Sequence, residues 1–174
     1  MRVLLVTLYF PPAGGGGVAR PTKLSQHLSE LGFEVHVLAP DDSKWLYRDD
    51  ELAIPPNVEV HRAKYHGPKG RLPAEELHGL DGLDRTLRQA ALFSRRLLVP
   101  DEFVSWGLTA IPAARRIVRD EKIDVLVTTS PPASLNLIGA AVKQVTGVYW
   151  VADLRDSVAS NPDRRVDRLA VRVK

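Results

Sequence analysis

Three short segments hold the residue types that bind phosphate, orient hydroxyls or move protons. The first is Tyr9-Phe10-Pro11-Pro12-Ala13-Gly14-Gly15-Gly16-Gly17-Val18-Ala19-Arg20. Glycine has no Cβ to hold a phosphate away from the backbone, and the helical pattern that follows sets N–H groups and the positive end of a helix dipole beside the tract. Arg20 adds a guanidinium fork that matches phosphate oxygens. The other use for such a tract is a flexible surface loop, but glycines are entropically costly to order, so their place directly before a helix points to a purpose. The second segment runs from Thr128 to Ser134 and holds Thr128-Thr129-Ser130-Pro131-Pro132, and the third runs from Asp153 to Asn161 and opens, after Ala152, with Asp153-Leu154-Arg155-Asp156. Ser130, Asp153 and Asp156 are the catalytic candidates: the carboxylates could orient a hydroxyl or a ribose or act as a base. The structural alternative is an Asp–Arg pair that only holds the loop.

Several familiar signatures fit poorly. Gly14, Gly16 and Ala19 formally satisfy the dinucleotide fingerprint, yet Tyr9 to Ala13 separate them from the first strand, and no acidic residue clearly closes the second. A nucleotide- or NAD-binding domain of another enzyme class is therefore the alternative reading. No Gly-Lys-Ser/Thr follows the tract, which excludes a P-loop. A response-regulator module needs an acidic cluster after the first strand, where Tyr9-Phe10-Pro11-Pro12 stands instead. The histidines His27, His36, His61, His66 and His78 show no metal-ligand spacing along the chain, so no metal site is assigned.

The elements that must position these segments alternate between strand and helix. Apolar, β-branched runs predict strands over 3–8, 34–39, 58–61, 123–129 and 148–152. Val18, Leu24, Leu28 and Leu31 recur at helical spacing up to Gly32, and Leu80, Leu83, Leu87, Ala91 and Leu98 form a stripe over 80–98. Arg85, Arg88, Arg95 and Arg96 fall on the other side of that stripe, facing either solvent or an anionic membrane. A helix is expected over 107–119, and another over 164–174. One more is expected to open with Ser130 as N-cap and Pro131 at the first helical position, ending before Gly147. The pattern predicts an α/β fold, a Rossmann-like parallel sheet with helices on both faces. In such sheets ligands bind at the carboxyl ends of the strands, which is where all three segments fall.

Composition bounds the rest. The 174 residues are 44% hydrophobic and 26% charged, the profile of one globular domain. No cysteine is present, so there is no disulfide, thiolate site or cysteine nucleophile, which fits a reducing, cytoplasmic setting. The apolar run after Arg2 stops at Pro11-Pro12 and is too short to span a bilayer. The formal charge of +3 suits a polyanionic partner, with phosphates and anionic lipid as candidates beside nucleic acid.

Taken together, the three segments resemble the N-terminal domain of retaining glycosyltransferases of family 4, which have the two-domain glycosyltransferase-B fold. The resemblance runs through Val3-Leu-Leu-Val-Thr-Leu-Tyr-Phe-Pro-Pro with the glycine tract and Arg20, then Leu28-Ser-Glu-Leu-Gly-Phe-Glu-Val-His-Val-Leu, Ile123-Asp-Val-Leu-Val-Thr-Thr-Ser-Pro-Pro and Trp150-Val-Ala-Asp-Leu-Arg-Asp. The stretch 41–104 matches little. The resemblance implies an enzyme of about twice this length in which residues 1–174 form the acceptor-side domain and a C-terminal domain, not in this chain, binds the nucleotide-sugar donor. It implies that Gly15, Gly16, Gly17 and Arg20 face the donor diphosphate, and that Tyr9, Pro131 and Arg155 lie on the acceptor side. It implies no cofactor and no metal, and no nucleic acid as partner; the acceptor would be a sugar or a lipid-linked sugar of surface polysaccharide or glycolipid synthesis. Many relatives carry a His near the end of the strand that finishes here at Thr129-Ser130. A serine cannot replace an imidazole as acid or base at neutral pH, but the leaving phosphate can itself help deprotonate the acceptor.

Overall fold

The computed structural model describes residues 1–41, 48–65, 79, 81–95 and 98–155. Five strands form one all-parallel sheet: β1 (Arg2–Val6), β2 (Glu34–Pro40), β3 (Val58–Ala63), β4 (Val125–Ser130) and β5 (Tyr149–Leu154). The order across the sheet is β3-β2-β1-β4-β5. The chain builds outward from β1 to one side and then returns to build the other, so strand order reverses between β1 and β4. That is the switch point at which an open α/β sheet forms its ligand crevice.

The α-helices among the described residues are α1 (Ala19–Glu30), α2 (Gly82–Arg95), α3 (Gly107–Asp120) and α4 (Ser134–Thr146). The pleat sorts the core into two layers. Leu4, Val6, Leu38 and Leu126 pack with Ala110, Ala114 and Ile117 of α3 and Leu135, Ile138 and Val142 of α4. Leu5, Val35, Val37 and Ala39 point the other way, toward Leu24 and Leu28 of α1. Helices therefore cover both faces, as alternating βαβ patterning requires.

The strand ends lie within two residues of those expected. Helix α4 differs more. Ser130 does not cap it and Pro131 is not its first residue: β4 continues to Ser130, paired in register with Leu154. The Ser130–Pro131 and Pro131–Pro132 peptides are cis, and the helix opens at Ser134. The acceptor that caps it comes from far away in sequence, since Asp101 Oδ2 accepts from the Ser134 N–H at 2.8 Å. With a carboxylate supplied by the tertiary fold, no local cap is needed.

The helix expected over 80–98 is α2, at Gly82–Arg95. Its Leu83 and Leu87 are exposed, as is Leu98 beyond its end. Of its four arginines, Arg85 is exposed, Arg88 and Arg95 belong to the helical backbone, and Arg96 lies outside the described residues. So do Asp156, the expected helix over 164–174, His66 and His78.

Candidate functional site

The loop that leaves β1 is built rather than slack. The Thr7 hydroxyl bonds to both the N–H and the carbonyl of Tyr9, at 3.3 and 3.2 Å, and Phe10 is fully buried. The Arg62 guanidinium on β3 donates to the Pro11 and Pro40 carbonyls, and Ala13 bridges to Arg48. The glycines that follow have three separate environments. Gly15 has φ +93°, a left-handed conformation that an L side chain rarely adopts. Gly16 is exposed with no atom within 4 Å of where a Cβ would stand, and its φ lies outside the left-handed region. A Cβ on Gly17 would come within 2.9 Å of the Tyr9 ring. Backbone strain on substitution therefore belongs to Gly15 and close packing to Gly17, while Gly16 has neither.

The Val18 N–H bonds to the Gly15 carbonyl at 3.2 Å, and α1 then begins with no side-chain cap. Arg20, in its first turn, reaches across the switch point to β5. Its Nε donates to Asp153 Oδ2 at 3.0 Å and its Nη2 to Oδ1 at 2.6 Å, the two-point geometry that guanidinium and carboxylate share. The Thr129 hydroxyl on β4 donates to the same Oδ2 at 3.0 Å. First the Arg20 hydrogen bonds, then that of Thr129, hold the Asp153 pKa below its ordinary value against the opposing effect of burial. Three elements, α1, β4 and β5, thereby meet on one carboxylate.

The other candidates lie around this clamp. Ser130 is buried at 5% exposure, and its carbonyl accepts from the Arg155 N–H at 3.1 Å. Arg155 is exposed, and its charge lowers the pKa of both Asp153 and Tyr9. Burial, together with the negative charges of Asp101 and Glu102, raises the Tyr9 phenol above its ordinary value, so Tyr9 keeps its proton at neutral pH. Asp101 also accepts from the Phe103 N–H at 3.0 Å, an Asx turn that places its second oxygen on the start of α4. Neither Thr129 nor Asp101 is singled out by sequence reasoning. Thr129 looks like an ordinary strand residue, and only the i, i+2 turn of Asp101 has a local signal.

A family model described as a glycosyl transferase 4-like domain matches residues 15–174. The chain belongs to that family. The glycine tract from Gly15 onward, Arg20, Thr129 and Asp153 all fall inside the match, so the clamp is part of a glycosyltransferase-type domain. No curated protein matches the sequence. Among solved structures, the C-terminal domain of a hydrogenase from Pyrococcus furiosus is similar at 14% identity, with 88% of this chain and 90% of that one covered and a TM-score of 0.49. The glycosyltransferase SsfS6 of Streptomyces sp. SF2575, solved with thymidine diphosphate, is similar at 16% identity and a TM-score of 0.46. That comparison covers 88% of this chain and 38% of the Streptomyces protein. Structural likeness at this level carries no functional argument, and the assignment rests on the family match.

Proposed function

We propose that this domain is the acceptor-side half of a retaining glycosyltransferase of the two-domain glycosyltransferase-B form, transferring a sugar from a nucleotide-diphosphate donor in surface polysaccharide or glycolipid synthesis. The observation that carries the reading is the Arg20–Asp153 clamp, which fixes the glycine tract at the switch point with Gly15 and Gly16 exposed. A diphosphate can approach those backbone N–H groups without meeting a side chain, while a second domain supplies the groups for base, ribose and sugar. In the transfer the bond from the anomeric carbon to the diphosphate oxygen breaks, and the acceptor oxygen bonds to that carbon on the same face. The acceptor proton passes to the departing phosphate oxygen. Asp153, anionic and held by Arg20 and Thr129, is a weak base and suits an orienting role. Ser130 and Asp156 stay as secondary candidates, and Tyr9, Pro131 and Arg155 flank the acceptor. No cofactor or metal enters this scheme.

The lipid side of the reading draws on α2, whose Leu83 and Leu87 are exposed beside Arg85. An amphipathic helix with arginines can lie in the interface of an anionic bilayer. No helix among the described residues is long and apolar enough to cross a membrane. Sedimentation with liposomes should show binding that needs anionic lipid; equal binding to neutral vesicles removes the electrostatic part.

The test of the main reading is transfer by the full-length protein carrying Gly16→Val. A Cβ at this exposed position has no atom within 4 Å, so folding should survive while phosphate approach is blocked and transfer falls. Undiminished transfer would show that the tract is only a loop. The isolated chain should lack transfer activity, because the transition state needs both domains. It should bind a nucleoside diphosphate at about millimolar affinity or weaker, roughly 4 kcal/mol.

A further inference from the structure

On the β2–β3 side of the sheet, across β1 from the strands that hold the clamp, a second group of side chains converges. Strands β2 and β3 pair in parallel with His36 opposite Glu59 and Leu38 opposite His61. The pleat puts Glu34, His36, Glu59 and His61 on one face. His36 Nδ1 stands 3.1 Å from His61 Nε2 and 3.6 Å from Glu59 Oε2, and His61 Nε2 is 3.6 Å from Glu59 Oε1. Three ligand atoms on one tetrahedral ion with bonds near 2.0–2.1 Å are separated by about 3.3 Å. The two 3.6 Å contacts are to different oxygens of Glu59, and one ligand atom from each residue lies within 4.8 Å of the others, so a rotation of the exposed Glu59 side chain is what brings a single oxygen to both imidazoles.

A second observation concerns the other nitrogen of the same ring. His36 is buried, and its Nε2 has no hydrogen-bond partner, which is a costly state for a polar atom. It faces Glu34 Oε1 at 3.5 Å, and Glu34 is itself held by Arg2, whose Nε lies 2.8 Å from Oε2. A histidine that ligates a metal through one nitrogen characteristically donates the other N–H to a carboxylate, and this fixes its tautomer. An open hollow lined by Glu34, Val35, His36, Asn57, Val58 and Glu59 lies beside the group.

We propose that His36 Nδ1, His61 Nε2 and the Glu59 carboxylate form a divalent transition-metal site, best suited to zinc, with Glu34 as the outer carboxylate that orients His36. Two imidazoles and one carboxylate are a borderline donor set that favours zinc over magnesium or calcium. Its position across two neighbouring strands, away from the switch point, makes it a pin for the β2–β3 edge and separates it from the proposed transfer site. The histidines have no metal-ligand spacing in the sequence because the ligands come from two strands that only the sheet register brings together.

The test is zinc titration of the metal-stripped chain against a chromophoric chelator. One equivalent should bind. His61→Gln and Glu59→Gln should each weaken binding by more than the roughly 10–100-fold that loss of an outer partner costs, and Glu34→Gln by an amount within that range. His27→Ala, which removes an exposed imidazole on α1, should change nothing. Cobalt in place of zinc should give the intense visible absorption of a four-coordinate site. His61 is half-buried on an edge strand, so its variant reports even if replacing the buried His36 prevents folding. Absence of stoichiometric zinc, or binding that His61→Gln leaves intact, would overturn the site and leave a His36–His61 hydrogen bond in its place.

Discussion

Replacing Gly15, Gly16 and Gly17 one at a time with alanine should produce three different answers from three adjacent and chemically identical residues. At Gly16 the new methyl meets nothing and the backbone is unstrained, so the gain from a stiffer unfolded chain should dominate, giving about 0.4–1 kcal/mol of stabilisation. At Gly15 there is equal room, but φ is +93°, and holding an alanine there should cost about 1–3 kcal/mol. At Gly17 the backbone is acceptable and the space is not. The methyl would stand 2.9 Å from Tyr9 Cδ2 and 3.0 Å from Cγ, atoms near the base of the ring that cannot swing aside, and overpacking of this kind costs about 1–3 kcal/mol. Chemical denaturation monitored by tryptophan fluorescence would read all three, and each kcal/mol should move the melting temperature by about 2–4 °C in a domain of this size. The decisive comparison is Gly17→Ala in a Tyr9→Ala background. With the ring gone the penalty should vanish, leaving a coupling energy of about 0.5–3 kcal/mol. If Gly17→Ala is as harmless as Gly16→Ala, or if its cost persists without the ring, the packing argument is wrong.

Asp101→Ala should remove the acceptor for the Ser134 and Phe103 N–H groups and lower stability by about 0.5–2 kcal/mol; Ser130→Ala, at the position first expected to cap the same helix, should cost less in the same denaturation assay. Because the Asp153 pKa is depressed in the fold, its ionised form contributes stability above the ordinary aspartate value of 3.8, and that contribution is lost as pH falls through the lower folded value. The stability gap between the wild type and Asp153→Asn should therefore be flat near neutral pH and close in acid, as followed by unfolding across a pH series; a gap that grows on acidification would contradict the clamp. Thr129→Val should weaken the same carboxylate by removing one charge-assisted bond, about 1.5–3 kcal/mol, without altering the Arg20 contact.

Much of this protein is fixed by local sequence, because strand and helix periodicity report which side of each element must be buried. The five strands, the two-faced helical cover and the stop at Gly147, with its left-handed φ of 74°, all follow from nearest-neighbour chemistry. So does the placement of the glycine tract, Ser130 and Asp153 at strand ends. What periodicity cannot carry is which strands lie side by side, since pairing depends on residues brought together from distant parts of the chain. The order β3-β2-β1-β4-β5 decides that Arg20 meets Asp153, 133 positions away, where the sequence suggested only a pair inside one loop. It decides that Asp101 caps α4, since a carboxylate at the right distance satisfies an N–H whatever its place in the chain. It also sets the register that turns His36, Glu59 and His61, residues without a recognisable spacing, into one triangle of ligand atoms.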